Sequence, residues 1–171
     1  MIASEYVDLG HISPANYASY FKFSFVRNPW ARLVSEYSAR DRYKKFSFKE
    51  FVMHRFPEPD MYTDRYRHVI SQYDYLYDIN GQLLVDFVGK FENLQNDFSA
   101  VCSRLGISDS TLPHRNASGN RKSGLKRLIG KISSSRQAKK IPYTEYYDDE
   151  LREHVGQLYA IDIETFEYSF D

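Results

Sequence analysis

The chain is 171 residues long, enough for one domain with its own core and too short for two comfortable ones. Its 23 basic and 23 acidic residues cancel, so the overall charge demands neither a polyanionic partner nor an acidic membrane surface. The 15 Tyr and 12 Phe, in a chain of negative mean hydropathy, fit an α/β or α+β domain with a partly aromatic core and exclude disorder throughout. The single cysteine, Cys102, excludes an intramolecular disulfide and reads as a small core residue. The histidines at positions 11, 54, 68, 114 and 154 show no ligand spacing, so no metal site is expected. No apolar run approaches the ~18 residues of a membrane span, and the first residues lack the basic and apolar regions of a signal peptide.

In chain order, "SPANYASY" (13–20) opens with Ser then Pro, the order of a helix start. In "FKFSFV" Phe21, Phe23 and Phe25 alternate with Lys22 and Ser24, a period of two that predicts a strand. Asn28 and Pro29 then begin a helix whose Trp30, Leu33, Val34 and Tyr37 share one face. Ser47 and Glu50 are spaced as a capping box for a short helix near 48–55, which Pro57 and Pro59 end. Residues 60–82 are polar, tyrosine-rich and weakly periodic, and read as surface helix turns and loop. "LLVDFVGKF" predicts a second strand, and "ENLQNDFSAVCSRLG" a helix with Leu94, Phe98, Val101, Cys102 and Leu105 on one side before Gly106. Between Asp109 and Glu145 lie nine Lys or Arg and no acid, so 115–140 reads as a basic, flexible insert. Asp148 and Asp149 start a last helix carrying Leu151, Val155, Leu158 and Tyr159 on one side. The whole, 1–171, is expected to be a single domain.

The strand-to-helix junction holds the first candidate site. A helix N-terminus after a strand offers unpaired backbone N–H groups and partial positive charge, and Arg27 at the strand end adds a planar fork suited to phosphate oxygens. Ser35 lies off the apolar stripe, with its hydroxyl free to face the same turn. The segment "FVRNPWARLVSEY" resembles the 3′-phosphate-binding segment of carbohydrate sulfotransferases of the Golgi and bacterial sulfotransferase family 2 type, which use 3′-phosphoadenosine 5′-phosphosulfate (PAPS). The resemblance continues in order through "VDFVGKFENLQNDFSAVCSRLGI", "LPHRNAS" and "YYDDELREHVGQLYAIDIETFEYSF".

That resemblance implies a three-layer α/β fold with a mostly parallel sheet of the sulfotransferase and nucleotide-kinase type. It also implies transfer of a sulfuryl group from PAPS to a hydroxyl, usually of a carbohydrate, leaving the bisphosphate nucleotide PAP. It places Arg27 and Ser35 on the 3′-phosphate. His11 in "DLGHIS" is the candidate base, with an exposed loop histidine as the plain alternative. His114 lies in the block resembling a cofactor-side loop, where Asn116 and Ser118 are candidate cofactor contacts. Tyr143, Tyr146 and Tyr147 either line an acceptor cleft or pack in the core. The expected compartment is the bacterial cytoplasm, or the Golgi lumen if the chain is eukaryotic.

The family's glycine-rich loop of the type "IPKTGGTS", which holds the 5′-phosphosulfate, has no counterpart before Arg27, where Gly10 is the only glycine. The fold is therefore expected to be N-terminally incomplete. Three explanations compete: a truncated product, a degenerate relative that binds without reacting, or replacement of the loop by basic residues such as Arg121 and Lys122. A different class also stands, a basic module binding a nucleic acid or sulfated glycan, against which zero net charge and the confinement of the basic run to one segment both count.

Overall fold

The computed structural model describes residues 2–39, 45–112 and 141–171. The expected basic insert falls outside them. Most predicted elements are present, in the order α1 (Glu5–Asp8), α2 (Pro14–Ser19), β1 (Phe23–Val26), α3 (Pro29–Ala39), α4 (Phe48–His54), α5 (Asp64–Arg67), α6 (Tyr73–Leu76), β2 (Phe87–Lys90), α7 (Leu94–Leu105), α8 (Asp149–Leu158) and α9 (Ala160–Thr165). Neither α1 nor a separate α9 has a counterpart in the sequence reading. The caps explain the starts: the side chains of Ser13, Ser47, Thr63 and Asp148 each accept a backbone N–H three residues on. The capping box at Ser47 forms in half, since Glu50 instead approaches Arg55 at 3.6 Å. Helix α7 ends where Gly106 takes φ of 69°, a left-handed conformation that costs glycine nothing.

β1 and β2 pair in parallel, with Phe23 opposite Phe87 and Val26 opposite Lys90. The register is pinned at its start by Asp86, whose carboxylate accepts the Lys22 N–H at 2.7 Å and pairs with Lys22 Nζ at 2.9 Å. Helices cover both faces. On one, the Phe25 ring and Asp97 of α7 both lie close against Gly89. On the other, Val26 joins Leu76 and Phe166 in a small cluster, with Val88 packed beside it. The result is a mixed α/β arrangement around a small parallel sheet.

The main core lies beside the sheet rather than on it. Trp30, Leu33, Val34 and Tyr37 of α3 meet Phe48, Phe51 and Val52 of α4 and Leu151, Val155 and Tyr159 at α8. Full burial of Leu33, Phe51 or Val155 stabilises by roughly 1.5–3 kcal/mol each. Tyr146 and Tyr147 stand edge-on to Phe48, and the Tyr147 hydroxyl donates to the Trp30 carbonyl at 3.0 Å. The tyrosine cluster thus packs against the core. Leu105 and Leu158 depart from the sequence reading, since both are close to half exposed at the ends of their helices.

The stretch read as surface helix turns and loop has its helix turns in α5 and α6 but departs further in its burial. Val69, Ile70 and Gln72 are buried, because side chains from elsewhere satisfy the backbone there. Arg32 donates to the carbonyls of Ile70 and His68 at 2.7 and 3.2 Å, and Tyr159 donates to that of Val69 at 2.5 Å. Burial pushes the Tyr159 phenol well above its ordinary value, so it stays a donor.

Two outcomes follow from this packing. A Cβ at residue 89 would lie 2.6 Å from the Phe25 ring and 2.9 Å from the Asp97 Cβ, so Gly89→Ala should lose about 1–3 kcal/mol in urea unfolding. The Lys22 contacts hold the Asp86 carboxyl below its ordinary value, chiefly through the backbone N–H. Its contribution is therefore present above the unfolded pKa and lost as pH falls through the folded one. Wild type should be more stable than Asp86→Asn at pH 7, with the gap narrowing below about pH 4; a gap constant with pH would contradict the assignment.

Candidate functional site

The carboxyl ends of both strands converge at one corner, where parallel α/β sheets commonly carry their sites. The chain turns there from β1 into α3 through Arg27 and Asn28. Asn28 is buried and makes the turn rigid: its Oδ1 accepts the N–H groups of Trp30 and Ala31, and its Nδ2 donates to the Ser169 carbonyl at 2.8 Å. Its own N–H donates to Glu92 Oε1 at 2.9 Å, while Arg32 N–H reaches the Asn28 carbonyl. Every N–H in the first turn of α3 is therefore engaged, and Pro29 has none. The expected backbone anion cradle is filled by the protein itself.

What stays open is the Arg27 side chain. Its guanidinium lies 4.6 Å over the Phe91 ring, and among the described residues no hydrogen bond or ion pair engages its N–H groups. Burial pushes its pKa below the ordinary value, against the opposing pull of Glu92 and Tyr168. Arginine keeps its charge at neutral pH regardless. The result is a partly desolvated cation with unused donors, which is the condition for strong, bidentate binding of an oxyanion.

The neighbouring carboxylate is less hostile to an anion than its charge suggests. Glu92 Oε1 takes the Asn28 N–H, and Oε2 takes the Tyr168 hydroxyl at 3.1 Å. Burial and the Glu92 carboxylate hold the Tyr168 phenol far above its usual value, so it remains a donor. Lys90 lies 4.8 Å over the Tyr168 ring, level with Val26 in the register. The tail reaches this corner because Glu167 adopts φ of 52° after α9, letting Tyr168 N–H bond the Ile163 carbonyl.

Of the residues singled out in the sequence, Arg27 stands at this corner. Ser35 is exposed on α3, on the helix face that also carries Ala31 and about 9 Å along the axis from Pro29. His11 is exposed between α1 and α2, and no described contact joins it to Arg27. Asn116, Ser118 and His114 lie outside the described residues, as do Arg121 and Lys122. Lys90, Phe91, Glu92 and Tyr168 were missed. The adjacent "KFEN" carried a signal, for residues just beyond one parallel strand end face those beyond its neighbour. Tyr168 gave none, because a left-handed Glu is not legible in sequence.

Comparison with known proteins decides the class. A family model described as "Sulfotransferase family" matches residues 3–169. The chain belongs to the sulfotransferase family. An uncharacterized protein of Archaeoglobus fulgidus is 32% identical to this family member over 93 residues, 53% of this chain and 71% of its own. No solved structure matches the chain. The family assignment makes sulfuryl transfer the activity class. Among the described residues there is no helix long and apolar enough to cross a membrane and no cluster that would hold a metal.

Asn28→Ala removes both α3 cap bonds and the tether to Ser169. It should lower stability by about 1–3 kcal/mol in thermal or urea unfolding. A variant as stable as wild type would show that the turn is held by other contacts.

Proposed function

We propose that this sulfotransferase uses PAPS as donor and that Arg27 binds the nucleotide's 3′-phosphate. The observation that carries the proposal is the partly buried guanidinium over Phe91, charged and without a hydrogen bond to the described residues. A phosphate oxygen pair would supply what the fold withholds. Because the backbone N–H groups of the turn are committed to Asn28 and Glu92, side chains must provide the binding. Ser35 adds a hydroxyl to the same phosphate, and Asn116 and Ser118 contribute further cofactor contacts.

In the reaction the acceptor hydroxyl oxygen attacks sulfur, the bond from sulfur to the bridging phosphate oxygen breaks, and PAP leaves. The hydroxyl proton passes to a base, for which His11 is our assignment. The acceptor is a carbohydrate hydroxyl, and the sheet belongs to a three-layer architecture. Positioning and charge stabilisation are the protein's main contributions, as in phosphoryl transfer.

Calorimetric titration of PAP into the 171-residue chain tests the reading. Arg27→Ala should weaken binding by about 100-fold or more, equivalent to two charge-assisted hydrogen bonds, with little change in stability. Ser35→Ala should lose less, and equal PAP affinity in wild type and Arg27→Ala would overturn the proposal.

A further inference from the structure

We propose that Gln72 is the positioning residue of the anion anchor: its carboxamide takes the place of a neighbouring strand's peptide and fixes the backbone from which Arg27 projects. The inference rests on the assignment of Arg27 to the nucleotide's 3′-phosphate. In the parallel ladder, Lys22 accepts from Phe87 on the β2 side, so alternation turns the backbone groups of residues 23, 25 and 27 toward the opposite edge. There, Gln72 Oε1 accepts the Arg27 N–H at 2.8 Å and Gln72 Nε2 donates to the Arg27 carbonyl at 2.8 Å. A carboxamide holds donor and acceptor in one plane, as a strand peptide does. Both peptide planes flanking the Arg27 Cα are thereby tied to a single rigid group, and with them the direction in which the side chain leaves.

The polarity of that group is also fixed. Asp162 is fully buried, and its Oδ2 accepts from both the Gln72 backbone N–H at 2.8 Å and Gln72 Nε2 at 3.3 Å. A flipped amide would set oxygen against that carboxylate and NH₂ against the Arg27 N–H, so only one orientation satisfies all partners. Asp162 Oδ1 is held in turn by Ser71 Oγ at 2.6 Å and the Tyr73 N–H at 2.8 Å. Asp162 and Gln72 are both buried, and Arg27, at the end of this chain of contacts, is partly buried. Glutamate at 72 would offer two acceptors beside Asp162, and methionine would offer neither group.

The test compares PAP with adenosine 5′-monophosphate, which lacks the 3′-phosphate, on wild type, Gln72→Met and Gln72→Glu by calorimetry. We expect wild type to prefer PAP, and both variants to lose about 10- to 100-fold in PAP affinity while holding the monophosphate as before. Equal losses for both nucleotides would mark Gln72 as merely structural and overturn the inference, as would variants that keep the full PAP preference. A wild-type chain that binds both nucleotides alike would instead overturn the reading of Arg27, and this inference with it. Should the variants not fold, the wild-type Gln72 side-chain amide decides by NMR: its signals should shift with PAP and stay in place with the monophosphate. Identical responses to the two nucleotides would overturn the proposal.

Discussion

A single buried carboxylate organises this molecule. Asp162 has no access to water and would be severely destabilising if left without partners, because an isolated buried charge loses its whole hydration shell. It is satisfied instead by the hydroxyl of Ser71, the backbone of Gln72 and Tyr73, and the Gln72 amide. Those partners come from a stretch with little hydrophobic periodicity of its own. The carboxylate thus sets the conformation of residues 71–73, starts α6 and, through Gln72, aligns the end of β1. Few alternative backbone paths would satisfy it as well.

The same economy governs the corner where the strands end. Asn28 joins α3 to the tail at Ser169, and Glu92 joins β2's extension to both the turn and Tyr168. Phe170 of the tail stands edge-on to Trp30, Tyr143 and Tyr147, so the corner is continuous with the aromatic core. Polar contacts determine direction here, and aromatic packing provides most of the favourable burial. Neither set would hold the tail in place alone.

How much of this was legible depends on what each residue answers to. Phe21, Phe23 and Phe25 gave β1 through their alternation, and Trp30, Leu33, Val34 and Tyr37 gave the buried face of α3, because both patterns are local. Arg27 stood out as a cation at a strand end. The inner position of Val69 to Tyr73 did not, since it depends on acceptors and donors supplied from Arg32, Tyr159 and Asp162, up to 91 residues away. The expectation of free N–H groups at the start of α3 failed for a related reason: Asn28, read as beginning the helix, is itself the cap that engages them. Glu92 and Tyr168 meet only because the backbone reverses at Glu167.

The saturation of the turn by Asn28 separates two roles that many phosphate sites combine. Where backbone amides bind the ligand, the loop that recognises is also the loop that must be rebuilt whenever recognition changes. Here the scaffold completes its own bonding and leaves the Arg27 guanidinium, resting on Phe91, without a hydrogen bond among the described residues. Ligand recognition can then drift, sharpen or disappear across descendants of this chain while the architecture persists unaltered. A member that has lost its chemistry would, by every measure of folding, look intact.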